Sequence, residues 1–213
     1  FMQTLTNSGT LIKDTSYGAS IANVLKTTTG AIDQTVSASI DSMINEGLSI
    51  ITYHGHGSAT AMQLNTLNTP EKYTNAPKCS HFIGLGCDIS QIYTLSPLKT
   101  ISEKYLYSNT GGSVSIIASD NLQYANFHQV YLPKIYTSIS KTNYGKTFGD
   151  HTTFAYNSIR SIDKSDFTFF HLESMILQGD PALKLYSPSA PDYFLTSNSI
   201  FTTPANVTTN LDS

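Results

Sequence analysis

Two short apolar runs that each end on a glycine corner constrain this chain more than anything else in it. The first is Leu48, Ile50 and Ile51 with Tyr53, leading into Tyr53-His54-Gly55-His56-Gly57-Ser58. It reads as a buried strand of a mostly parallel sheet that stops at a histidine wedged between two glycines. The second, His81-Phe82-Ile83-Gly84-Leu85-Gly86, ends the same way, and the next residue is Cys87. A residue without a Cβ lets the backbone turn sharply and approach a ligand closely. Two neighbouring strand ends of this kind would bring a histidine and a cysteine to one edge of a sheet, the pairing of a base with a nucleophile.

The rest of the chain fits a layered α/β fold. Apolar residues at Ile32, Val36, Ile40, Met43 and Ile44 have helical spacing and stop at Gly47. Helices are expected over 97–107, 124–140 and 147–160. Further strands are expected at Val114-Ser115-Ile116-Ile117-Ala118 and Ala182-Leu183-Lys184-Leu185-Tyr186. Strands alternating with helices imply crossover connections and a sheet covered on both faces. Ligands of such sheets bind outside the carboxyl ends of the strands, where His56 and Cys87 stand. From Ser187-Pro188 onward the composition turns to Ser, Thr, Asn and Pro. The expected division is therefore a catalytic domain over 1–187, followed by a linker and the start of a β-sandwich-like module over 188–213.

Composition narrows the function classes. The 213 residues are 39% hydrophobic and only 13% charged, with 13 Tyr and no Trp. This opposes the signature of disorder and suits a surface working outside the cytoplasm. A net charge of −3 without a basic cluster lacks the electrostatic footprint of a nucleic-acid binder. No apolar run reaches the roughly 18 residues of a membrane span. The chain opens at Phe1-Met2-Gln3 with neither a charged nor an apolar leader region, and reads as an excised fragment. Cys79 and Cys87 are the two cysteines. At opposite ends of one extended strand they would lie roughly 20 Å apart, beyond disulfide reach, so Cys87 is expected as a free thiol.

Four segments carry a family resemblance. Asn45-Glu46-Gly47 before the first strand and Gly55-His56-Gly57-Ser58 after it resemble the histidine segment of the gingipain family of cysteine peptidases, clan-mates of the caspases. Gly86-Cys87-Asp88 is similar to the family's nucleophile segment in spacing and context. The stretch from Ser102-Glu103 through Gly111-Gly112-Ser113-Val114 to Ala118-Ser119 resembles its next helix and strand. Gln178-Gly179-Asp180-Pro181-Ala182-Leu183 resembles the motif closing its catalytic domain. The resemblance, over about residues 30–187, implies a caspase-like sandwich and a Cys87 nucleophile with His56 as base and acid. It implies main-chain donors of Gly57 and Cys87 for the oxyanion, and no cofactor. It also implies a protein or peptide substrate, a secreted or cell-surface bacterial location, and the type IX secretion machinery as a partner. In the family a carboxylate that orients the histidine comes from well upstream; its equivalent here falls before Phe1 or very near it.

Other candidates carry weaker expectations. Asp120 and Tyr124 follow the third strand where the resemblance places a wall of the specificity pocket. There an acidic residue would select a basic side chain, although a solvated loop aspartate is the simpler reading of Asp120. The family tends to place a Trp where Tyr124 stands. His54 and His56, two apart, could share a metal on a strand, but no third ligand sits at suitable spacing, so no metal is expected. Cys79, His81, His128, His151 and His171 read as structural, and Asp180 before Pro181 as a turn residue. Two rival functions remain within reach of the sequence. One is a processing peptidase or sortase of type IX secretion with the same chemistry. The other is a surface adhesion module that keeps the fold without catalysis.

Overall fold

The structure, a computed structural model, describes residues 2–13, 17–25, 34–94 and 97–185, with two short strands at 200–202 and 209–211. Helix α1 (Met2–Lys13) and helix α2 (Gln34–Glu46) precede β1 (Ile50–His54), and β2 (Ser80–Leu85) follows it. Next come α3 (Ile101–Leu106), β3 (Ser113–Ser119), α4 (Ala125–Thr137), α5 (Phe148–Ile162), α6 (Asp166–Glu173) and β4 (Met175–Gly179). The four strands form one sheet in the order β1-β2-β3-β4. β1, β2 and β3 run parallel, and β4 returns antiparallel, with Ser119 opposite Met175.

Strand alternation sorts the apolar residues into two cores. Ile83, Leu85 and Ile117 point to one face and pack on Phe127, Leu132 and Ile135 of α4, Phe148 and Ile159 of α5, and Leu172 of α6. Phe82, Ile116 and Ala118 point to the other, against Ile40 and Ile44 of α2 and Ile101 and Tyr105 of α3. β2 is buried along its whole length, as a central parallel strand requires. β1 is an edge strand of this sheet and only half-buried over Ile50–Thr52, so its apolar run overstated its depth.

Elements differ from the sequence expectation where local chemistry intervenes. α3 starts at Ile101 rather than 97 because Thr100 and Glu103 form a capping box, each side chain bonding the other's main-chain N–H. Over 182–185, the described part of the strand expected at 182–186, no strand forms. Residues 180–183 form a turn in which Asp180 Oδ1 accepts the Ala182 N–H at 2.8 Å, and Lys184 makes only an isolated bridge to Thr147. The last strand of the sheet lies just before that turn, at Met175–Gly179. The connection from β1 to β2, a polar stretch over 58–78 that reads as a loop, contains two 3₁₀ turns, Asn65–Asn68 and Pro70–Lys72. β5 (Ile200–Thr202) and β6 (Thr209–Leu211) pair antiparallel. Apart from these two strands, the linker and module expected over 188–213 lie outside the described residues.

Candidate active site

β1 and β2 are parallel and in register, Tyr53 opposite Gly84 and His54 opposite Leu85, so their carboxyl ends finish side by side. The pairing continues one residue further, where the Gly55 N–H donates to the Leu85 carbonyl at 3.0 Å. Past that point the two corners pack backbone on backbone. A Cβ on Gly86 would stand 2.7 Å from the Gly55 carbonyl oxygen, and one on Gly57 2.9 Å from the Cys87 carbonyl oxygen. Only glycine permits so close an approach. His56 and Cys87 leave these adjoining corners, His56 exposed and Cys87 half-buried with a free thiol.

The His56 corner is held from below. Its carbonyl accepts hydrogen bonds from the Tyr53 hydroxyl and, at 3.1 Å, from the Gln63 N–H. The Tyr53 oxygen also accepts the Gln63 N–H at 3.0 Å. Burial pushes the Tyr53 phenol up to about 12, so it stays a donor at neutral pH. Gly57 bridges Met62, with the flanking bonds made by Ser58 N–H to Ala61 O and Gln63 N–H to His56 O. In such a non-hydrogen-bonded pair the residue's own N–H and C=O point away from the partner strand. The nitrogen of Gly57 lies on the Gly86 side, 3.4 Å from where a Gly86 Cβ would sit.

Loop 119–124, after β3, closes the other side of the thiol. The Gln123 N–H donates to Cys87 Sγ at 3.4 Å, and Sγ lies 3.6 Å from the Gln123 carbonyl oxygen. Asp88 takes a left-handed backbone conformation, φ 57°, and gives its N–H to the Asn121 carbonyl at 3.1 Å. This is a conformation that Asp tolerates better than most residues. Burial pushes the Asp88 carboxyl up. Burial also raises that of Asp120, its own main-chain N–H pulls it part of the way back, and the charge of Asp88 pushes it up again. The two carboxyls therefore share one neighbourhood beside Cys87. Tyr124 is largely exposed and packs on Phe167 and His171, ring centroids 5.8 and 5.5 Å away.

His54, expected as a neighbour of His56 on the same face, is instead buried beneath the corner, because Gly55 ends the strand between them. Its ring meets that of His128. Among the described residues no group of three or more His, Cys, Asp and Glu is arranged to hold a metal. The four histidines read as structural are all buried. His81 and His151 bond Ser115 and Ser138 at 2.7 and 3.0 Å. Gln123 is not singled out by the sequence, and Asp88 stands in it only as a member of the Gly86-Cys87-Asp88 segment, without a role of its own. Their signal would have been position alone, since each follows the end of a buried strand that neighbours the other.

The sequence profile of peptidase family C25 matches residues 4–186. No curated protein sequence matches the chain. Among solved structures, the Arg-specific cysteine proteinase gingipain R (RgpB) is 20% identical with a TM-score of 0.73, over 87% of this chain and 43% of that one. The complex of Porphyromonas gingivalis RgpB pro- and mature domains is 18% identical with a TM-score of 0.74, over 87% of this chain and 44% of that one. A further protease structure is 17% identical with a TM-score of 0.59, over 75% of this chain and 42% of that one. The chain thus has the caspase-like α/β fold of the gingipains and spans less than half the length of these relatives. With its profile matching residues 4–186, the chain belongs to peptidase family C25.

Proposed function

We propose that this chain is the catalytic region of a secreted cysteine endopeptidase, with Cys87 as nucleophile and His56 as its base and acid. The observation that carries the reading is the backbone contact between the Gly55–Gly57 and Gly86–Cys87 corners, which fixes a histidine and a cysteine at adjacent parallel strand ends. A cysteine attacks as thiolate, and a neighbouring imidazole both takes its proton and returns one to the leaving group.

The chemistry then runs in two halves. The Cys87 thiolate attacks the scissile carbonyl carbon, the C–S bond forms, and the carbonyl electron pair moves onto oxygen. The N–H groups of Gly57 and Cys87 are the donors for that oxyanion. Such fixed donors act without reorganisation when the charge develops. As the tetrahedral intermediate collapses, the C–N bond breaks and the His56 imidazolium gives its proton to the leaving amine. Water, deprotonated by His56, then attacks the thioester, and Cys87 leaves as thiolate with the acid product released. Asp120 and Tyr124 wall the pocket for the residue before the scissile bond. The substrate is a protein or peptide. The family membership supports a bacterial surface or extracellular setting with the type IX machinery as exporter, and no helix among the described residues is long and apolar enough to cross a membrane.

The test is casein hydrolysis by the full-length protein in a Cys79→Ser background, before and after alkylation with one equivalent of iodoacetamide. Loss of hydrolysis in step with modification of Cys87 is expected. Hydrolysis that persists with Cys87 fully modified overturns the reading, and absence of any hydrolysis together with an inert thiol favours a binding module.

A further inference from the structure

Among the described residues, the hydrogen bonds of the Cys87 sulfur both go to one residue. The Gln123 N–H donates to Sγ at 3.4 Å, while the Gln123 carbonyl oxygen stands 3.6 Å away as an acceptor for the thiol proton. These two groups favour opposite forms of the cysteine, because the N–H stabilises a thiolate and the carbonyl favours the protonated thiol. A small shift of the backbone at residue 123, whose N–H and carbonyl belong to two successive peptide units, would therefore change how readily Cys87 ionises. What holds that stretch of backbone in place decides the balance.

The Gln123 side chain holds it. Only 9% exposed, it turns inward and donates from Nε2 to Ser174 Oγ at 2.7 Å, to Ser119 Oγ at 2.9 Å and to the His171 carbonyl at 3.5 Å. Ser119 ends β3, and Ser174 links α6 to β4, so the amide pins the loop to the two strands that pair at Ser119 and Met175. Ser119 Oγ also bonds the Asn121 N–H and carbonyl, at 3.0 and 2.7 Å. The Asp120 N–H donates to the Ser174 carbonyl at 3.0 Å. Neither serine is a hydrogen-bond partner of Cys87 among the described residues. The amide's own Oε1 has no hydrogen-bond partner among the described residues. A buried amide with one end unmatched costs stability, so its retention here calls for a reason.

We propose that Gln123 is a positioning residue for the nucleophile: its buried amide locks loop 119–124 to Ser119 and Ser174 so that its main-chain N–H stays on the Cys87 sulfur. This rests on the reading of Cys87 as nucleophile. The titratable groups at this corner are His56, Asp88 and Asp120, of which Asp120 lies on the loop that the Gln123 amide holds and Asp88 is bonded to Asn121 of that loop.

The experiment measures iodoacetamide alkylation of Cys87 from pH 5 to 9 in the full-length protein, on a Cys79→Ser background. The variants are Gln123→Met, which keeps the length and loses the hydrogen bonds, Ser174→Ala, and His56→Ala. Losing a hydrogen bond to the charged sulfur should slow alkylation at pH 6 about three- to tenfold in Gln123→Met and about two- to fivefold in Ser174→Ala. Both profiles should move to higher pH, and kcat should fall more than KM rises. A purely structural amide would lower the melting temperature without moving the pH profile. Profiles identical to the parent in both variants, with the parent still faster than His56→Ala at pH 6, overturn the positioning role and leave Cys87 as nucleophile. A parent no faster than His56→Ala at pH 6 overturns the nucleophile reading and this proposal with it. Should Gln123→Met fail to fold, Ser174→Ala alone decides.

Discussion

The rings of His54 and His128 meet edge to face with centroids 5.1 Å apart, beneath the corner from which His56 emerges. Burial lowers the His128 imidazole to about 3, and the charges of His54 on β1 and His171 on α6 push it the same way. His151 is lowered to about 4, mainly by burial, and His81 and His171 are lowered as well. Each of these groups binds a proton more readily in the unfolded chain, near 6.5, than in the folded one. Their contribution to stability is therefore complete above about pH 6.5 and is lost progressively as pH falls toward the folded values. The urea midpoint should be flat between pH 7 and 8.5 and should drop steeply from pH 6.5 to 4.5. His128→Gln should flatten that drop. A midpoint that holds constant down to pH 4.5 would mean that these rings are solvated.

Removing the sulfur tests the dyad more directly. Cys87 is half-buried and its Sγ contacts are with the Gln123 main chain, so Cys87→Ala should leave the melting temperature within a few degrees of the parent. Peptidase activity should fall below detection, and His56→Ala should come close to the same result. Because nucleophile and base act as a unit, Cys87→Ala with His56→Ala should be little worse than either alone. Cleavage rates of a fluorogenic peptide and circular dichroism check both halves. Activity in Cys87→Ala would exclude the thiol mechanism.

How much of this was legible in the sequence follows from how local each signal is. The buried run Phe82–Leu85 and the glycines at 55, 57 and 86 announce their strand ends by themselves, and the parallel pairing of β1 with β2 follows from a layered α/β pattern. α6 was not legible, because Asp166-Phe167-Thr168-Phe169-Phe170-His171-Leu172-Glu173 places apolar residues on every side and leaves three phenylalanines partly exposed. Without period there is no helix signal. β4 was displaced by a few residues because Ala182-Leu183-Lys184-Leu185 alternates like a strand, while the turn at Asp180-Pro181 diverts the chain there. The roles of Gln123 and Ser174 depend on a contact across 51 positions, which one sequence read alone does not reveal.

Closeness of the two corners gives a prediction about Gly86. A methyl group there would stand 2.7 Å from the Gly55 carbonyl oxygen and 3.1 Å from Ile89 Cδ1. Backbone cannot yield as a flexible side-chain tip can, so Gly86→Ala should push the His56 and Cys87 corners apart. Overpacking of this kind typically costs about 1–3 kcal/mol of stability. A misplacement of about 1 Å between reacting groups costs on the order of a hundredfold in rate. The expected result is a folded variant, modestly less stable in urea, with kcat/KM down by about two orders of magnitude. Full activity would show that the corners can separate without consequence for catalysis.

In the proposed pocket, Asp120 is the residue expected to set specificity. Its carboxyl is partly withdrawn from water and shares its surroundings with Asp88, so a cationic side chain placed there would relieve two crowded acids at once. A neutral side chain would leave them uncompensated. Truncating one partner of a desolvated charged pair typically costs about 2–5 kcal/mol, so Asp120→Asn should depress cleavage after Arg and Lys by roughly one to three orders of magnitude. Cleavage after small or apolar residues should change little, since no charge pair is lost. Tyr124→Ala, which removes the exposed ring packed on Phe167 and His171, should instead raise KM for all substrates with large side chains. A peptide library scanned at the residue before the scissile bond, run on the parent and both variants, separates the two effects. A profile unchanged by Asp120→Asn would place that carboxylate outside the pocket and leave the choice of substrate to Tyr124 and its aromatic neighbours.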